Sequence, residues 1–161
     1  MVTKAEILHW LEEVKDPEIP MLSLIDLGVI RNVEITTNTK VKVTMTPTFT
    51  GCPAMEVMKQ DVIDTLLNYG IDDPEVEINF KERWKSDLIN EKGRTALKKF
   101  GLAPPPRDTL IVDIDILQHV ECPHCESHDT NMKSPFGPTL CRSLHYCNTC
   151  KQAFEQFKPI E

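Results

Sequence analysis

The sequence has no apolar run long enough to span a bilayer and no basic-then-apolar leader, so neither a membrane span nor a secretory signal is expected. It lacks any positive excess: 18 Lys and Arg face 25 Asp and Glu, and the formal charge of −7 disfavours non-specific attraction to nucleic acid or anionic lipid. Histidine is scarce where a catalytic base would be wanted, with His9 alone before residue 119. Internal repeats and low-complexity tracts are missing too. What is present is a 161-residue chain, 40% hydrophobic and 27% charged, which is the composition of one folded, soluble domain with a small appendage. Six cysteines without a leader fit a reducing compartment, where clustered thiols hold metal more often than they form disulfides. The cytoplasm is the expected address.

Local patterns predict a small α+β domain of order α-β-β-α-β-α over residues 1–103, a Pro-rich linker at 104–109 and a four-cysteine zinc ribbon over 110–161. Thr3-Lys-Ala-Glu6 has capping-box spacing, and Ile7, Leu8, Leu11 and Val14 then repeat at helical period until Asp16-Pro17. Val33 and Ile35, and then Val41, Val43 and Met45, alternate with polar residues around a Thr36–Lys40 hairpin loop. A second helix is expected to bury Met55, Met58, Val62, Leu66 and Leu67 and to end at Gly70. Val76, Ile78 and Phe80 predict a third strand, and Ser86 to Phe100 a third helix that contains Gly93. Leu110 to Val120 predicts a strand leading into the ribbon.

Two Cys-x-x-Cys turns, Cys122-Pro-His-Cys125 and Cys147-Asn-Thr-Cys150, stand 21 residues apart. Each turn aims two sulfurs at one point, the requirement of a tetrahedral centre. About 40 residues with few large apolar side chains cannot bury enough surface to fold unaided. Metal binding is therefore expected to make this part of the fold. Zinc is the expected ion, and a single iron suits the same four thiolates. Cys141, His124, His128 and His145 are spare donors, with Cys141 expected half-buried and His124 expected in solvent. From residue 121 onward four Lys or Arg stand against five acids, which leaves no basic stripe for a nucleic-acid ligand. Phe136, Tyr146, Phe154 and Phe157 are expected to form the ribbon's small core or a docking face.

The second chemical feature is Thr48-Phe-Thr-Gly-Cys-Pro53. Proline favours the first helical position, which predicts Cys52 as an N-cap whose thiol is favoured as thiolate by the helix dipole. No second cysteine lies nearby, so a self-contained redox dithiol is disfavoured. A nucleophilic enzyme would need a base oriented on Cys52, and His9 is a poor candidate. Asp16 and Glu18, in Asp-Pro-Glu-Ile-Pro20, either serve near Cys52 or simply terminate the first helix.

Asp16-Pro-Glu-Ile-Pro20, Asp26-Leu-Gly-Val29 and Thr46-Pro-Thr-Phe-Thr-Gly-Cys-Pro53 together resemble the metal–sulfur cluster biosynthetic family. Trp84…Asp87…Gly93-Arg94…Gly101-Leu-Ala-Pro-Pro105, the Cys-Pro-x-Cys knuckle and Phe136-Gly-Pro-Thr-x-Cys141 narrow the resemblance to the PaaD (PaaJ) family of phenylacetate degradation. The resemblance spans Ile7 to Phe157. It implies an accessory factor, not itself an enzyme, of the multicomponent oxygenase that epoxidises phenylacetyl-CoA. The implied role is iron–sulfur cluster or metal-centre assembly for the oxygenase or reductase subunits, together with the iron–sulfur assembly machinery. By position it makes Cys52 the cluster-handling thiol, with Asp16, Glu18, Thr48 and Thr50 lining its site and a transient cluster as cargo. One thiolate cannot enclose a cluster, so a homodimer sharing Cys52, an exogenous thiol or a partner's cysteines must complete the shell. The competing readings are a non-catalytic structural or adaptor subunit and a thiol-dependent enzyme acting alone.

Overall fold

The computed structural model describes residues 1–49, 51–106, 118–139 and 141–158, so Thr50, residues 110–117 of the strand expected before the ribbon, and 107–109 of the linker lie outside the described residues. The chain divides into two compact units, residues 1–84 with 88–93, and residues 85–87 with 94–161. Among the described residues no helix is long and apolar enough to cross a membrane.

In the first unit, α1 (Lys4–Leu11) starts at the expected capping box: the Thr3 hydroxyl accepts from the Glu6 N–H, and the Glu6 carboxylate accepts from the Thr3 N–H at 2.8 Å. The regular helix stops at Leu11, a turn before Asp16-Pro17. Tightened bonds from Glu13 N–H to Trp10 O and from Val14 N–H to Leu11 O, both 3.2 Å, carry the chain onward, and Val14 still reaches the core. β1 (Ile30–Ile35) and β2 (Lys40–Met45) form the expected antiparallel hairpin. α2 (Met55–Asn68) follows, and β3 (Asp73–Ile78) returns parallel to β2, with Val43 beside Val76 and Met45 beside Ile78. The period-two pleat puts Val41, Val43 and Met45 on the buried face, where Ile7, Leu11, Val62 and Leu66 from the helices complete the core. The opposite face carries Lys40 and Lys42, which pair with Asp73 and Glu77.

α2 ends in a Schellman motif. Gly70 takes φ +88°, its N–H reaches Leu67 O, and Ile71 N–H reaches Leu66 O, each at 3.0 Å. Leu67, expected in the core, is exposed because it stands one residue, about 100° of helical turn, off the buried stripe of Met55, Met58, Val62 and Leu66. β2 and β3 are parallel and joined through α2. The 46–54 loop, the first turn of α2 and the residues after β3 therefore all emerge at one end, the carboxyl end of the parallel pair. Asn79 N–H bonds Met45 O there at 2.8 Å. β3 stops at Ile78, so Phe80, expected in the strand, lies beyond its partner's end and is 65% exposed.

The single helix expected from Ser86 to Phe100 is a 3₁₀ turn at Ser86–Leu88 followed by α3 (Glu91–Phe100). Asn90 makes the break. Its side-chain oxygen accepts from Gly93 N–H at 2.8 Å, capping α3, while its amide NH₂ donates to the Asp26 carboxylate and its backbone N–H to Asp26 O. A Cβ on Gly93 would stand 2.7 Å from Asp26 O, and one on Gly28, at φ +77°, would stand 2.6 Å from Leu88 Cβ. The buried indole of Trp84 donates to Leu27 O at 2.9 Å. Asp26–Val29 and Trp84–Gly93 are thus two halves of one clamp.

The second unit holds a four-stranded sheet of order β4-β7-β6-β5, from β4 (Leu102–Ala103), β5 (Thr130–Ser134), β6 (Arg142–Cys147) and β7 (Ala153–Phe157). β4 runs parallel to β7, with Leu102 beside Glu155 and Ala103 beside Gln156; the other pairs are antiparallel. The expected domain boundary after residue 103 leaves these two residues with the first domain, whereas their pairing with β7 puts them in the ribbon sheet. A core cluster of this unit consists of Ala103, Val120, Cys122, Cys147 and Phe154, with Cys150 packed against it. Phe157 is buried, Tyr146 half-buried, and Phe136 stands 67% exposed.

Candidate functional site

The two Cys-x-x-Cys turns are built alike. Cys122 N–H donates to Ser127 O and Cys147 N–H to Gln152 O, both at 2.9 Å. Glu126 N–H returns to Cys122 O and Lys151 N–H to Cys147 O, at 2.9 and 3.0 Å. The knuckles are further tied by Asn148, whose backbone and side-chain N–H groups both bond Asp129, and by Ser127 Oγ with Thr149 Oγ1 at 2.7 Å. All four Sγ atoms lie within 4.8 Å of one another, with Cys122 to Cys150 at 3.7 Å and Cys125 to Cys147 at 3.6 Å. Metal–sulfur bonds of about 2.3 Å give a regular tetrahedron an edge of about 3.8 Å, so these two sulfur pairs already stand at the spacing a closed tetrahedral shell needs.

Electrostatics agree with a site that expects a cation. N–H groups of Cys150 and Thr149 hold the Cys147 thiol down to about 6, whereas burial pushes Cys150 up to about 12. At Cys125 the Ser127 N–H pulls downward, but burial and the neighbouring Cys147 sulfur outweigh it and the thiol is raised. Four adjacent sulfurs cannot all ionise without a positive charge among them, so metal uptake must displace protons. The spare donors stay outside the shell. His124 and His128 are exposed and Cys141 is half-buried, its sulfur 3.1 Å from Thr139 Oγ1. His145 is fully buried, 2.8 Å from Ser143 Oγ and stacked on Phe154; burial lowers its pKa to about 4 and keeps it neutral.

Each knuckle ends on a residue in the left-handed region, Glu126 at φ 63° and Lys151 at φ 61°. Side chains with a Cβ pay for that conformation, and glycine does not. Lys151→Gly is accordingly expected to stabilise the ribbon by about 0.5–1 kcal/mol, read as slower loss of metal to a chelator. Glu126→Gly is the poorer choice, since Glu126 also pairs with Lys98 at 2.6 Å.

Cys52 lies at the other chemical feature, in the loop at the carboxyl end of β2. It does not cap α2. The helix opens at Met55 with Ala54 as N-cap, and Cys52 O accepts from Met55 N–H at 3.3 Å. Pro53 therefore occupies the second position of a type I turn, which suits its fixed φ as well as a first helical position does. Gly51, at φ +84°, has open space around it, and Thr48, Phe49 and Cys52 are half-buried. At the base of the loop Thr46 is 1% exposed, and its hydroxyl has no hydrogen-bond partner among the described residues. Asp16 uses one carboxylate oxygen to accept from Glu18 N–H and Ile19 N–H, at 2.8 and 3.0 Å, which is turn chemistry. It also lines a cavity of about 390 Å³ with Glu13, Asp61, Asp64 and Asn68, while Glu18 is exposed. His9 faces Glu12 at 3.8 Å on the solvent side of α1. Val57, five residues after Cys52, and Phe80, read in the sequence only as a strand residue, stand at the same sheet end as Cys52; the parallel return of β3 brings Phe80 there.

The family model described as iron–sulfur cluster assembly protein matches residues 4–78, and the model described as PaaD zinc beta ribbon domain matches residues 114–158. A protein of Escherichia coli K12, named as one of the subunits of a putative 1,2-phenylacetyl-CoA epoxidase, is 33% identical over 96% of this chain and 92% of its own length. An Fe-S protein maturation auxiliary factor of Porphyromonas gingivalis is 33% identical over 59% of this chain and 90% of its own length. The crystal structure of a domain of unknown function, DUF59, from Bacillus anthracis superposes with a TM-score of 0.55 at 26% identity, covering 58% of this chain and 90% of that one. With a ribbon of the PaaD type at one end and a relative aligned along nearly its entire length, the chain belongs to the PaaD family.

Proposed function

We propose that this protein is an accessory factor of a phenylacetyl-CoA epoxidase system, delivering an iron–sulfur cluster to a subunit through Cys52, with zinc held in the ribbon as a permanent structural ion. The observation that carries the reading is a half-buried thiol on the loop between a β-strand and the helix that crosses to its parallel neighbour, inside the segment matched as an iron–sulfur cluster assembly protein. The names of the relatives supply the direction, since one is named as part of the epoxidase and another as a maturation auxiliary factor. Cys122, Cys125, Cys147 and Cys150 would hold the zinc, which supplies cross-linking and leaves no open position for chemistry.

Delivery at Cys52 is ligand exchange. A thiol of the receiving subunit gives up its proton as its sulfur bonds to cluster iron; the bond from that iron to Cys52 breaks, and Cys52 takes up a proton. No electron changes hands. Asp16, Glu18, Thr48 and Thr50 are assigned as the polar surroundings of that exchange. Cys52→Ser is expected to leave folding and ribbon metal intact while lowering the cluster content of the epoxidase system in cells several-fold, measured as iron and acid-labile sulfide in the purified subunits. Full cluster content in that strain would remove the reading. The name of the Escherichia coli relative favours one alternative, a structural or adaptor subunit. Co-purification in fixed stoichiometry, unaffected by Cys52→Ser, would point there.

A further inference from the structure

Exposed large apolar side chains of the first unit include Met1 at the N-terminus and Met21 in the loop between α1 and β1. Ile35 lies opposite Val41, at the start of β2, and Leu67 and Tyr69 lie at the far end of α2. Tyr69 is accounted for, since it stacks on Trp10 at 4.7 Å and donates its hydroxyl to Glu13. At the carboxyl end of β2 and β3, by contrast, Phe80 is 65% exposed and Val57, in the first turn of α2, is 52% exposed. Half-buried Phe49 belongs to the intervening loop. Three separate chain segments thus present apolar groups at the end of the sheet that carries Cys52, where the buried Thr46 hydroxyl is also unmatched. Protruding aromatics of this kind are the usual anchors of protein interfaces.

Resting on the delivery reading of Cys52, we propose that Phe80 and Val57 form the contact by which the first unit docks the receiving polypeptide, a protein with an apolar cleft rimmed by basic residues beside its cluster-binding cysteines. Charge argues for such a partner over a second copy of this chain. The first unit contains nine Lys and Arg against sixteen Asp and Glu, a net of −7, whereas the second balances nine against nine. Lys81 and Arg83 follow Phe80, but the unit as a whole repels its own kind and attracts a basic surface.

The test measures binding of the full-length, metal-loaded protein to the purified apo form of the epoxidase system's iron–sulfur subunit, by calorimetry. Phe80→Ser and Val57→Ser are each expected to weaken binding by about tenfold or more, while Phe80→Leu retains most of it. Ribbon metal content and the rate of Cys52 alkylation by iodoacetamide should stay at the wild-type value in all three. Added salt should weaken wild-type binding. Unchanged affinity in both serine variants, or no wild-type binding to the apo subunit, overturns the proposal. So does light scattering that shows a wild-type dimer made monomeric by Phe80→Ser, since the face would then belong to a second copy. Cys52→Ser is expected to bind normally and fail to deliver. A Cys52→Ser protein that delivers fully would remove the thiol's role, while the affinities of the Phe80 variants would still decide the docking surface.

Discussion

Cys147→Ser is expected to abolish the ordered ribbon, and stripping the metal from the wild-type protein should do the same. Cys147 is fully buried on β6, and two of the five residues in the core cluster of its unit belong to the four-cysteine set. So few apolar contacts cannot replace a structural zinc site, whose apparent binding free energy is on the order of 10–16 kcal/mol, as large as the whole stability of an ordinary domain. Hydrogen exchange is the direct measurement. Amides of β5, β6 and β7 should lose protection in the variant and in the chelated protein, while those of α1, β2 and α2 keep theirs. Strands β5 to β7 that stayed protected after metal removal would show that side-chain packing holds the ribbon and that the quartet is dispensable to the fold.

Trp84→Ala should cost the first unit about 3–5 kcal/mol, the range for emptying a buried tryptophan site. Its ring is 2% exposed and its indole N–H satisfies Leu27 O, a partner 57 residues away. Trp84→Phe separates the two contributions. It keeps most of the packing but leaves the Leu27 carbonyl without that donor, for an expected loss of about 1–3 kcal/mol. Urea unfolding followed by far-UV circular dichroism gives both values. A midpoint for Trp84→Ala within error of wild type would mean that the clamp on Asp26–Val29 is held by Gly28, Asn90 and Gly93 without the indole.

What could be read from the sequence was local. The Thr3/Glu6 box, the Thr36–Lys40 hairpin, Gly70 at the end of α2 and the four thiols all act over a few residues or through a repeated spacing, and each is found where it was expected. Readings went astray where a distant partner decides. Phe80 continues the alternation of Val76 and Ile78, but a strand ends when its neighbour does, and β2 gives way to Pro47. Proline at 53 fits a turn and a helix start equally well, so it could not place Cys52. The break at Asn90 is set by Asp26, and the strand at Leu102–Ala103 by Glu155 and Gln156, partners no short window contains. For the Cys52 loop, the motif marked the chemistry, while the arrival of Phe80 at the same sheet end came only with the parallel return of β3.

β7 is flanked on both sides, by β4 and by β6, yet it comes last in the chain order of the sheet. During synthesis, therefore, the ribosome must release residues 153–157 before the sheet has its middle. Before that, until Cys147 and Cys150 are made, the first knuckle waits with half of the four-cysteine set, exposed to oxidants and to competing ions. The first unit, complete in sequence by Gly93, is under no such delay. Supply of the ion as the second Cys-x-x-Cys turn emerges should therefore govern how much of the ribbon reaches its ordered state.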